Sequence, residues 1–159
     1  MNRCLFVMLT LIAATSSAPV CAAPIPNSFV ATGVDKAAID ALLAIYTKAV
    51  STKNQQLFET LLLSKTIPFS SVSDAIGAPG GDHTRNYEAF RKDVFEGAAF
   101  TQRFRDVHIQ QDGALATVSL VFINTSTASS DWGWKTMQLL RIDGRWKIAS
   151  EFYTGHALP

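Results

Sequence analysis

The chain has 159 residues, with 14 basic and 13 acidic side chains and two cysteines. So even a charge balance lacks the basic footprint of a nucleic-acid binder. A hydrophobic content of 48% supplies the core of one domain and leaves no room for several.

The N-terminus reads as an export signal. Arg3 gives a short positive start, and Leu5 to Ala14 is an apolar run of signal-core length. It is too short to span a bilayer, which takes roughly 20 apolar residues. Val20-Cys21-Ala22 supplies small residues for cleavage after Ala22. Ala18-Pro19-Val20 is a poor match to the residues that precede a lipidated cysteine, so a lipid anchor is not expected. Residues 1–22 are thus expected to be removed, taking Arg3, Cys4 and Cys21 with them. The mature chain then has no thiol chemistry, and a periplasmic or secreted location follows.

Residues 23–31 carry Pro24 and Pro26 and read as an extended, mobile lead-in to one domain over 32–159. Thr32 and Asp35 have capping-box spacing. Ile39, Leu42, Leu43, Tyr46 and Val50 then mark one face of a first helix. Thr52 and Gln55 repeat the capping pattern before a shorter helix with Leu57, Phe58, Leu61 and Leu62 inward. Ile67 to Val72 predicts a short strand, placed at an edge by Pro68, which cannot donate to a ladder. Ser73 to Arg85, rich in glycine, predicts a mobile loop. No Gly-Lys-Ser/Thr follows, so it is not a phosphate loop. Thr84 is placed to cap a third helix with Tyr87, Phe90 and Val94 inward.

Strand patterns fill the rest. Phe104–Gln111 and Ala114–Thr125 flank Asp112-Gly113, and two further β-rich runs flank Asp143-Gly144. Both dipeptides favour the positive φ of tight hairpin turns. With two-residue turns, Val107 and Ile109 share a face with Ala116, Val118 and Leu120. Met137 and Leu139 share one with Trp146, Ile148, Ser150 and Phe152, the face expected against the helices. In this register Glu151, Asp106 and His108 point away.

The motif Met137-Gln-Leu-Leu with Asp143-Gly-Arg-Trp-Lys-Ile148, together with Ala116 and Val118 after Asp112-Gly113 and with Phe90, resembles the nuclear-transport-factor-2-like (NTF2-like) superfamily. Within it, the chain is most similar to the exported, polyketide-cyclase-like (SnoaL-like) and lumazine-binding-like branch. The resemblance implies an α+β cone: three helices on the concave face of a curved, mostly antiparallel sheet. It spans about Val34 to Thr154 and implies no particular reaction.

Enzymes of that fold place a carboxylate or histidine inside the cone. Asp40, Glu88 and Asp93 lie off the inner helix faces, and no inward acid or base emerges from the pattern. No catalytic residue is therefore assigned. His83, His108 and His156 show no metal-ligand spacing, and Gly-x-Ser-x-Gly is absent. No metal or cofactor is expected.

What the parity does suggest is a cluster of bases. Arg103, Arg105, Lys135 and His156 continue the inward sets of their strands at the end remote from both turns, near Tyr46 and Phe152. They predict a pocket mouth for an apolar anionic ligand, since guanidinium groups present paired donors to carboxylates. Trp134, Leu140, Ile142, Ala149 and Tyr153, with Val121 and Ile123, predict an apolar outer sheet face that forms a homodimer. Two functions follow: an exported small-molecule-binding or interaction domain, or a small isomerase, cyclase or dehydratase using the same pocket. A buried Asp, Glu or His beside Tyr46 would favour the enzyme.

Overall fold

The computed structural model describes Pro26, residues 28–77 and residues 86–158. The signal segment, His83 and Thr84 lie outside the described residues, as do residues 78–85 of the predicted loop.

Helix α1 spans Gly33–Ser51, and Ile39, Leu42, Leu43, Tyr46, Ala49 and Val50 form its buried stripe. Helix α2 spans Gln55–Glu59. Strand β1 covers Phe69–Ser71, followed by a helical turn, α3, over Val72–Gly77. That turn corrects the loop expected from Ser73. Helix α4, Tyr87–Arg91, continues as a π-helical turn through Lys92–Glu96. Four long strands follow: β2 Thr101–Asp112, β3 Leu115–Thr125, β4 Ser130–Ile142 and β5 Arg145–Tyr153. A short β6, His156–Ala157, pairs with β4. The sheet order is β1-β5-β4-β3-β2, with only the β1–β5 pair parallel. This is the predicted α+β architecture of helices on a curved, mostly antiparallel sheet. No helix among the described residues is long and apolar enough to cross a membrane.

Local signals differ in two caps. Thr32 caps α1 without a side-chain hydrogen bond, and α2 is capped by Asn54, whose Oδ1 accepts from Leu57 N at 2.9 Å. Asp35 is not free to close a capping box. Its carboxylate accepts from Arg141 Nη1 at 2.7 and 2.9 Å, Gln111 Nε2 at 2.7 Å and Trp146 Nε1 at 3.2 Å. The Gln111 bond foremost, then Trp146 and Arg141, holds this carboxyl below the usual carboxylate range. One side chain thereby ties the start of α1 to both hairpins. Phe29 to Ala31 are extended and pair with β2: Ala31 N donates to Ile109 O, and Val30 bridges Gln110.

The closing turn is as read, with Ile142 opposite Arg145 and positive φ at Asp143 and Gly144. The other turn uses Gly113-Ala114, since Asp112 pairs with Leu115. That shift moves the pairing by an even count, so Ile109 still faces inward with Ala116, Val118 and Leu120.

Two bulges alter the rest. Between Arg105 and His108 strand β2 carries one extra residue, with Asp106 in the left-handed region at φ 52°. Between Ile148 and Ser150 strand β5 carries another, Ala149. Each extra residue reverses the alternation beyond it. The inward sets therefore become Gln102 and Phe104 on β2, and Glu151 and Tyr153 on β5. Arg103, Arg105, Ser150 and Phe152 turn to the outer face, correcting the parity expected from the sequence. Val107 lies in the bulge and is exposed.

Trp146 is 6% exposed and packs in the core with Leu139 and Ile148. Trp146→Ala removes that packing and the indole bond to Asp35. The expected cost is about 3–5 kcal/mol, read as a fall in thermal or urea midpoint. A melt within a degree or two of wild type would contradict the burial.

Candidate functional site: a buried Tyr–Lys–Glu cluster and a divided basic set

Inside the cone the sheet brings a lysine and a glutamate together. Lys135 of β4 and Glu151 of β5 are 1% and 0% exposed. Lys135 Nζ lies 2.6 Å from Glu151 Oε1 and donates to the Tyr46 hydroxyl at 2.5 Å. That hydroxyl in turn donates to Glu151 Oε1 at 2.9 Å. The second carboxylate oxygen, Glu151 Oε2, is buried with no hydrogen-bond partner.

Five rings surround the ammonium group. Its nitrogen lies 4.4 Å from the centroid of Tyr46, 5.2 Å from Phe122, 5.4 Å from Tyr153, 5.7 Å from Phe104 and 5.8 Å from Phe90. Ring faces attract a cation. They do not replace its water, so the carboxylate must carry most of the compensation. Burial pushes the Lys135 pKa down and the Glu151 pKa up, each opposed by the attraction to the other. Burial first, then the Glu151 charge, raises the Tyr46 hydroxyl far above its usual range. Gly133 contributes by lacking a side chain. A Cβ there would sit 1.9 Å from the Thr154 carbonyl and 2.6 Å from the Phe122 ring. The glycine thus lets the Phe122 ring lie beside the Lys135 ammonium.

The six side chains predicted at a pocket mouth separate into two groups. Tyr46 and Lys135 face inward and touch. Arg103, Arg105, Phe152 and His156 lie on the outer side, because of the two bulges and the fold-back of the tail. Two of these four share a hollow, and a third stacks on a residue that lines it. Arg103 and Arg105 line a hollow of about 290 Å³ with Val121, Ile123, Trp132 and Leu158. His156 stacks on Trp132 with centroids 4.7 Å apart. Arg105 pairs loosely with Asp106 at 3.3 Å, whereas Arg103 makes no ion pair or hydrogen bond among the described residues. Phe152 stands apart, at a larger hollow of about 490 Å³ that includes His108, Gln110, Thr117 and Thr136.

On the outer face Trp134 is 53% exposed and Ile142 is also exposed, while Ile123 is buried. Tyr153 does not belong to this patch: it turns inward, a correction to the predicted interface. Glu151 is the functional candidate that sequence reasoning missed. No pattern in Trp146 to Tyr153 announces an extra residue at Ala149, since Ala, Ser and Phe all fit either face.

A buried ion pair that loses one member leaves the other uncompensated. Lys135→Met or Glu151→Leu alone should therefore cost about 3–5 kcal/mol, whereas the double variant should recover much of that loss. Chemical denaturation of the three variants checks this. Additive losses would show that the two groups do not act as a pair.

No protein-family model matches the chain, and no curated protein matches it in sequence. Solved structures match it in fold. A protein of unknown function with a cystatin-like fold from Nostoc punctiforme is 12% identical, with a TM-score of 0.60 over 79% of this chain and 93% of its own. An NTF2-like protein of unknown function from Shewanella baltica is 14% identical, with a TM-score of 0.56 over 81% of this chain and 99% of its own. An NTF2-like protein of unknown function from Pseudomonas putida is 12% identical, with a TM-score of 0.61 over 76% of this chain and 85% of its own. Identities this low carry the fold and nothing finer.

Proposed function

We propose that this chain, which has the NTF2-like fold, is an exported, homodimeric binding domain that takes an apolar anionic ligand on the outer side of its sheet. The observation that supports this reading most directly is the hollow beside Arg103. It combines an unpaired guanidinium, a second arginine, the Trp132 indole and an apolar floor of Val121 and Ile123. An arginine that makes no ion pair or hydrogen bond among the described residues suits a carboxylate, and the floor suits a ring or alkyl body. Export rests on the apolar run and small residues before Ala23.

A carboxylated aromatic such as 1-naphthoate should bind more tightly than 1-naphthamide in calorimetry. Arg103→Ala should weaken the acid by about 1.5–3 kcal/mol, the scale of a charge-assisted hydrogen bond, and leave the amide unchanged. Equal affinity of acid and amide would sink the ligand reading.

The dimer is argued from Trp134 at one end of the outer face and from Leu140 and Ile142 at the other. Apolar area of this kind more often meets a partner than water. The mature protein should sediment as a dimer at micromolar concentration, and Trp134→Glu should shift it to monomer by burying an unpaired charge. A wild-type monomer under those conditions would defeat this part alone.

A second reading has a specific observation behind it. Glu151 is the buried carboxylate beside Tyr46 that an isomerase, cyclase or dehydratase of this fold would need, and one of its oxygens is unengaged. Against it stands the ion pair: a carboxylate locked to an ammonium is a weaker proton acceptor than one standing alone.

A further inference from the structure

We propose that the hollow in front of Phe152 is a second ligand site on the outer sheet face, built for a neutral carbohydrate. It shares no lining residue with the hollow at Arg103 and is independent of it.

Strand register assembles the site. His108, Ser119, Thr136 and Phe152 are paired in turn across β2, β3, β4 and β5 and form one row. Gln110, Thr117, Gln138 and Ser150 form the next row in the same way. Residues two apart on a strand share a face, so both rows look outward. Each row runs about 14 Å across the sheet, at about 4.8 Å per strand. The Ala149 bulge supplies the aromatic wall, since without the extra residue Phe152 would face the helices. The hollow over these rows measures about 490 Å³. Small-molecule sites span roughly 300–1,000 Å³. The rows lie between the Trp134 end and the Leu140 end of the outer face. Every side chain of the site comes from one copy, so it is complete whether or not those ends meet a second one.

Three observations choose the ligand. The first is open hydrogen bonding. Ser150 Oγ donates to Gln138 Oε1 at 3.1 Å. Among the described residues, the hydroxyls of Thr117, Ser119 and Thr136, the Gln110 amide and the His108 imidazole make no hydrogen bond. Hydroxyl, amide and neutral imidazole groups each donate and accept. A sugar hydroxyl does the same, so the two sets satisfy each other. An apolar guest would cover these groups and leave them without partners. The second is charge. Among the described residues no lysine, arginine, aspartate or glutamate lines the hollow. A carboxylate or an amine would lose water there without gaining a counter-ion. The third is Phe152, which is exposed and shares the β5 side of the hollow with Pro68. The negative face of its ring suits the C–H side of a pyranose, whose hydroxyls then reach the two rows. Glycoside cleavage takes a pair of carboxylic acids. None lines this hollow, so the site holds a sugar and does not cut it.

The test is an NMR titration of the isotope-labelled protein with maltose, cellobiose, lactose and N,N′-diacetylchitobiose. At least one of these should shift the backbone amides of Thr117, Thr136, Gln138 and Phe152 saturably and leave those of Arg103 and Arg105 in place. Thr117→Val keeps the side-chain shape and removes the hydroxyl, and Phe152→Ala removes the wall. Both positions are exposed, so both variants should fold as wild type by circular dichroism. Each should weaken binding by about threefold to tenfold, the scale of one neutral hydrogen bond. Arg103→Ala should leave sugar binding unchanged, which separates this site from the anion-binding hollow. No saturable shift at these amides with any of the disaccharides would overturn the proposal, as would unchanged affinity in both variants. Shifts confined to the Trp134→Glu variant would show that a second copy fills the wild-type hollow, and would overturn it too.

Discussion

A lysine enclosed by five aromatic rings can keep its proton only if a carboxylate reaches it. In this fold that contact depends on one residue. Ala149 has no opposite number on β4, and it turns the last four positions of β5 over. Without it Glu151 would face solvent and Phe152 would face the helices. The Tyr46 hydroxyl on α1, 105 positions away in sequence, completes the contact. So a local irregularity in backbone pairing decides which charge lies in the core. Desolvating two ions costs several kcal/mol each before their attraction is counted. The surrounding aromatic contacts, with Phe58 touching Tyr46, Phe69, Tyr87, Phe90 and Phe95, make the apolar part of that core dense enough to hold the pair in place.

The second bulge acts in the opposite sense. Asp106 adopts a left-handed conformation that aspartate tolerates better than most side chains. Beyond it Phe104 turns inward beside Tyr46 and Lys135, and Arg103 and Arg105 leave for the outer side. The two bulges are therefore complementary. One brings an acid inward, and the other removes two bases and supplies a ring in their place. Among the described residues the buried charges are then Lys135 and Glu151 alone, and the outer face gains two arginines near Trp132, one of them paired with Asp106.

Much of this architecture could be read from the chain. The stripe Ile39, Leu42, Leu43, Tyr46 and Val50 is strong because many positions agree on one period. Asp143-Gly144 is strong because few residues accept two successive positive φ angles. The inward placement of Trp146, Ile148, Met137 and Leu139 followed from that turn and holds as far as the bulge. Beyond the bulge nothing in residue type separates the two parities: Arg103 and Arg105 alternate with Gln102 and Phe104, and Glu151 with Ser150 and Phe152. Bulges are set by the curvature the whole sheet needs, which is a property of packing and not of any short window. The caps failed for a similar reason. Asp35 has the spacing of a cap, yet the hairpins reach it with three donors from distant positions.

The pairing of Phe29 to Ala31 along β2 has a consequence for how copies of this protein can meet. The open edge of β2 is covered over Ile109 to Gln111 by this segment, and Gln102 N is taken by the Ser51 hydroxyl. Between these two points the bulge at Asp106 breaks the regular edge of β2. At the other edge β1 has only three residues, and Pro68 beside it offers no donor. Growth by strand addition, the route by which sheets run on into fibres, is thereby discouraged at both ends. The dimer proposed above would instead use the flat of the sheet, where a self-complementary contact closes after two copies and does not propagate.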